Sequence, residues 1–282
     1  MNQYQTNRLL GYPADTRLLI INADDFGMCH ANNEAIHRSL TEGVVSSTSL
    51  MTTCPWAPHA MQILREHPEI PFGVHLTMIC EFGSYRWGPV ASKSDVPSLV
   101  DSSGYFVSKD LRGDLLDRVN LDEVEVEFRA QIGMVLDAQL APTHLDWHCL
   151  ADGGRVDIFE LTVRLAREDG LALRVHDRVM AQACQEQGLP CNDFDLLDSY
   201  SLMPAEKPVR YARLLRGLPA GLTEWAVHPG LGNAESQALE PDSWQIRRAD
   251  FDYFMSQGAK AILDEEGIML LDYRALQKVW AA

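Results

Sequence analysis

Acids and imidazoles at set spacings carry the chemistry of this chain. Asp24 and Asp25 stand side by side just after the apolar run Leu18-Leu19-Ile20-Ile21. Two adjacent carboxylates at the end of a buried strand repel each other and lose hydration, and a bound cation is the simplest compensation. The plainer use of such a pair is to cap a helix, since Asp is a favoured N-cap. His75 ends the short apolar segment that begins at Phe72. His144, Asp146 and His148 alternate along one stretch, and Glu224 and His228 along another. Side chains alternate along a strand, so each of these sets shares a face.

Four strand ends therefore deliver carboxylates and imidazoles to one rim. Two imidazoles and one carboxylate leave positions open on a metal, which is the arrangement of a catalytic ion and suits zinc. Such an ion polarises a carbonyl and lowers the pKa of bound water to about 7. A spare carboxylate takes the proton of that water, and a histidine on the far side protonates the leaving group. The chemistry implied is metal-assisted hydrolysis of an amide or ester, with the Asp24/Asp25 pair supplying one ligand and one base. Asp25-Phe26-Gly27 also matches a kinase triplet, but no glycine-rich loop or HRD loop accompanies it. Walker A, GxGxxG and GxSxG patterns are absent.

Alternating strands and helices position these residues. Strands are expected over 17–23, 44–51, 72–76, 143–148, 171–175, 222–227 and 268–271, the first being an apolar run of the kind buried in parallel sheets. Helices are expected over 31–41, 55–66, 122–139, 156–168, 209–216, 243–256 and 274–280. Residues 1–16 read as a polar leader in which Gly11-Tyr12-Pro13 argues against regular structure, and 176–208 carry only short helical pieces. The stretch 77–120 is broken by glycines and prolines and reads as a loop insertion or lid. Roughly seven strands in βαβ order predict a single (β/α) barrel over 17–282, deformed or incomplete, with its chemistry at the C-terminal strand ends.

Composition narrows the function. The chain has 282 residues, 46% hydrophobic and 23% charged, with a net charge of −16. That is ample material for a core, and its acidity excludes nucleic acid and anionic membrane as partners. No run of about 18 apolar residues exists to span a membrane, and the polar N-terminus lacks a signal-peptide core. The six cysteines form no CxxC pair and read as reduced thiols of a cytoplasmic protein.

The stretch Ile20-Ile21-Asn22-Ala23-Asp24-Asp25-Phe26-Gly27 resembles the start of the YdjC-like carbohydrate deacetylases, the group that contains chitooligosaccharide deacetylase. The resemblance continues in order through Gly43-Val44-Val45-Ser46-Ser47-Thr48, Gly73-Val74-His75-Leu76, Pro142-Thr143-His144-Leu145-Asp146-Trp147-His148 and His228-Pro229. It implies a barrel of the polysaccharide-deacetylase type and one divalent ion, held by Asp25, His75 and His148. Asp24 would then be the base, standing free at hydrogen-bond reach, and His228 the general acid or a transition-state contact. His144, Asp146, Glu224 and Arg174 are expected to support this set or touch substrate, His144 from behind His148. Zinc is favoured by the imidazoles, and Mg2+ stays open although it prefers oxygen. The implied substrate is an N-acetylated amino sugar or short oligosaccharide, on which aromatic residues of the 77–106 loop could stack if they do not simply pack that loop. Alternatives are a metal-dependent amidohydrolase or esterase with a non-sugar substrate, and a sugar- or metal-binding protein without turnover. Self-association into a homo-oligomer is compatible with the sequence. One departure stands out: after His148 the chain runs Cys149-Leu150-Ala151-Asp152-Gly153-Gly154, where the family commonly has further histidines. It bears on the substrate more than on the chemistry.

Overall fold

The run Leu18 to Ile21 lies within the ten-residue strand β1 (Arg17–Phe26), buried from Leu18 onward. The structure, a computed structural model, describes residues 5–282. In chain order there follow β2 (Ser47–Leu50), β3 (Phe72–Leu76), β4 (Ile79–Cys80), β5 (Val107–Ser108), β6 (His144–Trp147), β7 (Ala172–Leu173), β8 (Leu197–Asp198), β9 (Gly221–Val227) and β10 (Met269–Leu270). Eight of them form one parallel sheet in the order β7-β6-β3-β2-β1-β9-β8, with β10 also on β1. The sheet curls into an incomplete barrel whose ends, β7 and β8, are unpaired with each other among the described residues.

β1 is the spine. One edge pairs with β9 along Arg17 to Ala23. The other holds β10 at Leu18 and Leu19 and β2 from Asn22 onward. A continuous run of apolar side chains suits a strand covered on both faces. Helices follow the strands as expected, among them His30–Thr41, Ala57–Glu66, Leu121–Asp137 and Val156–Glu168.

Differences from the sequence expectation cluster where periodicity is weak. Thr6–Leu9 forms one helical turn in the leader, anchored where Thr6 N donates to Asp193 Oδ1 at 3.1 Å. Residues 1–4 of the leader lie outside the described residues. Within 176–208 there is a helix, Arg178–Glu186, capped by Asp177, and the two-residue strand β8, too short to show alternation. The helix expected over 243–256 ends at Phe254, and a further helix, Gln257–Glu265, starts where Ser256 Oγ accepts from Ala259 N. The 77–120 stretch holds the β4–β5 pair and the helix Arg112–Arg118. It is tied down by the helix Leu121–Asp137: the buried Glu127 accepts from the Val90 and Ala91 amides, and Gln131 bonds the backbone of Thr77. Trp87 and Phe106 are buried, so they pack this segment rather than offer a stacking face.

In the β3–β6 register Gly73 faces His144. A Cβ on Gly73 would come within 2.5 Å of the His144 ring. Overpacking of this kind costs about 1–3 kcal/mol. Gly73→Ala is expected to lose that much in urea denaturation; an unchanged midpoint would mean the ring can swing away.

Candidate active site and metal centre

A bulge explains how neighbouring aspartates come to share one cleft. β1 pairs with β2 at Ala23↔Thr48 and next at Phe26↔Leu50, so Asp24 and Asp25 together oppose the single residue Ser49. The extra residue breaks the alternation that would send them to opposite faces. Asp25 takes up the distortion with φ 70, a left-handed conformation that Asp tolerates better than most residues. Gly27 follows with φ +98, and its N–H donates to Asn33 Oδ1 at 2.6 Å. Both carboxylates line a cleft of about 650 Å³, together with His75, Glu81, Trp147, His148, Tyr200, His228 and Arg247.

Asp25 and two histidines form the metal-like set. Asp25 Oδ1 lies 3.5 Å from His75 Nε2 and 3.2 Å from His148 Nδ1. Tetrahedral coordination with bonds of about 2.0–2.1 Å separates ligand atoms by about 3.3 Å, so these donors are already spaced for an ion. His75 is also oriented for one. Its Nδ1 is 2.7 Å from Asp146 Oδ1, a carboxylate that can only accept, so a proton sits on Nδ1 and, in the neutral ring that binds a metal, the Nε2 lone pair faces Asp25. Burial works against charge on both rings, yet the surrounding acids win. Asp146 and Asp25 push His75 up to about 9, and Cys149, Asp25 and Glu81 push His148 well above the usual imidazole range. Burial likewise opposes the Asp25 carboxylate, but Arg247 and the two imidazoles hold it well below the usual range.

Arg174 joins the remaining acids. Its Nη1 and Nη2 reach Asp24 at 2.8 Å each, Nη1 reaches Asp146 Oδ2 at 3.0 Å, and Nε donates to Glu224 Oε1 at 2.6 Å. Tyr273 Oη donates to Glu224 Oε2 at 2.6 Å. Arg247 does the same work on the other side, with Nη1 2.7 Å from Asp25 Oδ2 and Nε 2.7 Å from Glu240 Oε1. Five buried carboxylates, Asp24, Asp25, Asp146, Glu224 and Glu240, thus share two buried guanidinium groups. A divalent cation held at this site would offset part of the remaining negative charge. Asp24 does not stand free as expected. Both its oxygens accept from Arg174, and Oδ1 also from Asn22 Nδ2 at 2.8 Å, because a carboxylate this buried needs partners. Burial raises its pKa, but Arg174 outweighs that and holds it below the usual range.

A profile described as YdjC-like protein matches residues 18–265. The chain belongs to the YdjC-like family. A carbohydrate deacetylase of Geobacillus stearothermophilus is 37% identical over 264 residues, covering 93% of this chain and 99% of that protein. A chitooligosaccharide deacetylase of Serratia marcescens is 29% identical over 267 residues, covering 92% and 99%. A crystal structure from Enterococcus faecalis V583 is 28% identical and aligns with a TM-score of 0.78, covering 93% of this chain and 99% of that one. The curled parallel sheet is thus the YdjC-like fold. No helix among the described residues is long and apolar enough to cross a membrane.

Other residues of this YdjC-like chain fall around the set. His228 reaches the cleft from beyond β9, its N–H donating to Asp250 Oδ2 at 2.9 Å and its Nδ1 3.0 Å from Ser199 Oγ. Asp250 is fixed in turn by Lys207 Nζ and Tyr211 Oη, at 2.6 and 2.7 Å. His144 stays behind the cleft, stacked on Tyr273 with ring centres 3.6 Å apart and Nε2 3.8 Å from Asp146 Oδ2. Sequence reasoning missed Arg247, Glu81, Trp147 and Tyr200. For Arg247 a signal existed. It lies with Asp250, Phe251 and Phe254 on the buried stripe of the helix Trp244–Phe254, where a charged residue needs a buried partner. Glu81 sits in an aperiodic stretch and gave no such sign.

Burial, helped by Arg174, pushes His144 down to about 3. Because this lies below the about 6.5 of an unfolded imidazole, its contribution to stability is complete above that pH and is lost as pH falls toward 3. His144→Phe keeps a ring against Tyr273 and cannot take a proton. Its stability deficit relative to the parent should shrink between pH 6.5 and 4 in urea titrations; a constant deficit would assign the acid limit to another group.

Proposed function

We propose that the chain is a metal-dependent carbohydrate deacetylase that removes the acetyl group from an N-acetylated amino sugar or short oligosaccharide. The observation that carries this is the convergence of Asp25, His75 and His148 at ligand spacing, with Asp24 beside them on one cleft. The names of the relatives support the substrate class. A divalent ion held by those three residues would polarise the acetyl carbonyl and acidify a water beside it.

The chain's own groups supply the remaining steps. Asp24 accepts the proton of the attacking water. Its depressed pKa keeps it ionised at neutral pH, and an ion held by Asp25, His75 and His148 would compensate for its weak basicity by acidifying the water. Arg174 holds it in place while keeping Asp146 against His75. His228, which lines the same cleft from just beyond β9, delivers a proton to the departing amine nitrogen, with Ser199 on Nδ1 leaving Nε2 for that transfer. Tyr200, only partly buried, supplies a cleft wall suited to a sugar ring.

Separating the aspartates tests the reading. Asn keeps the size of Asp but cannot act as a base. Asp24→Asn should bind metal nearly normally while acetate release from N-acetylated mono- and oligosaccharides falls by about 10²-fold or more. Asp25→Asn should instead lower metal content, with activity partly restored by excess metal. Metal analysis and acetate assays on both variants decide the matter: activity retained in both would exclude this mechanism, and metal loss confined to Asp24→Asn would reverse the roles.

A further inference from the structure

His148 offers a donor atom on each side. Nδ1 faces Asp25, whereas Nε2 lies 3.4 Å from Cys149 Sγ and 3.7 Å from Glu81 Oε2. Glu81, His148 and Cys149 have donor atoms within 4.8 Å of one another, and all three residues line the cleft. Zinc bonds of about 2.3 Å to sulfur and about 2.0 Å to nitrogen or oxygen separate S from N by about 3.5 Å and O from N by about 3.3 Å in a tetrahedron. The two spacings to Nε2 need adjustments of only a few tenths of an ångström. Cys149 is exposed while the other five cysteines are buried, so an ion reaches this sulfur directly.

The proton inventory fits as well. As the side chains stand, Asp25 Oδ1 can only accept from His148 Nδ1, so in the neutral ring the lone pair is on Nε2, facing Glu81 and Cys149. A surface cluster, His30, Glu34 and His59, lacks this readiness. There Asn33 Nδ2 donates to His59 Nδ1 at 3.1 Å, which puts the neutral ring's proton on the nitrogen that faces Glu34.

We propose that Glu81, His148 Nε2 and Cys149 Sγ form a second binding set for a thiophilic divalent ion such as Zn2+ or Cd2+. It excludes simultaneous use of His148 by Asp25 and His75. A neutral imidazole has one lone pair for a metal, so an ion on Nε2 takes the ring away from the other set. Thiolate sulfur selects soft ions, and Mg2+ is not held there. Binding replaces the S–H bond with a sulfur–metal bond and, where the imidazole is charged, the Nε2–H bond with a nitrogen–metal bond; the displaced protons leave to solvent and no electron is exchanged. The consequence for catalysis, inhibition by excess zinc or cadmium, rests on the deacetylase reading.

The test is a Cd2+ titration of the full chain, followed by the ultraviolet charge-transfer band of a thiolate–metal bond. The band should appear and saturate in the parent and be absent in Cys149→Ser, an exposed and conservative change. Glu81→Gln should weaken the apparent affinity by about tenfold or more, the scale at which metal sites respond to loss of a supporting group. No band in the parent, a band that persists in Cys149→Ser, or an affinity unchanged in Glu81→Gln would each overturn the site. The readout needs no sugar. A missing band therefore leaves the deacetylase reading standing, and an absence of acetate release leaves the band to be judged alone.

Discussion

The centre of the molecule depends on one guanidinium group in a place without water. Arg174 is almost wholly buried and touches Asp24, Asp146 and Glu224 at once. A charge in such surroundings is tolerable only when several partners share its hydrogen bonds. Each partner reaches a different part of the site. Asp146 orients His75, Glu224 receives the Tyr273 hydroxyl, and Asp24 stands at the cleft. Loss of this one cation would leave three carboxylates in mutual repulsion, so the positions of His75 and of Asp24 are mechanically linked.

Arg247 repeats the arrangement on the other side of the bulge. It pairs with Asp25 and Glu240 and comes within 3.8 Å of Glu81. The two arginines divide the adjacent aspartates between them, which is how neighbours in sequence acquire different surroundings. Asp25 lies against two imidazoles and Arg247, whereas Asp24 is held by Arg174 and Asn22. The division of labour proposed for them follows from those surroundings.

Much of this was legible in the residues themselves. The apolar run of β1, the alternation of His144 and Asp146 along β6, and the helix Val156–Glu168 follow from period and burial, and the structure places them at the expected positions, with His148 in a bend just beyond the strand expected to include it. The illegible parts share a cause. β8 is two residues long and makes its pairs with β9 through backbone groups, so no side-chain pattern marks it. The bulge at Asp24 and Asp25 depends on register against β2, a fact about two strands that neither shows alone. Arg174 was flagged without its partners, since the acids it joins come from three other strands. That Asp24 is engaged rather than free could not be known before those strands were assembled.

The incomplete closure of the sheet also bears on how the protein behaves at high concentration. Unpaired strand edges expose rows of N–H and C=O groups that can template pairing with another chain. Among the described residues the strand order ends at β7 and β8, each only two residues long, while the ten-residue β1 is enclosed at the centre. An edge so short offers too few backbone bonds to hold a foreign strand in register. The arrangement places the greatest length of sheet where it is covered and the least where it is open, and so lets an unclosed barrel resist edge-to-edge aggregation without a closing strand.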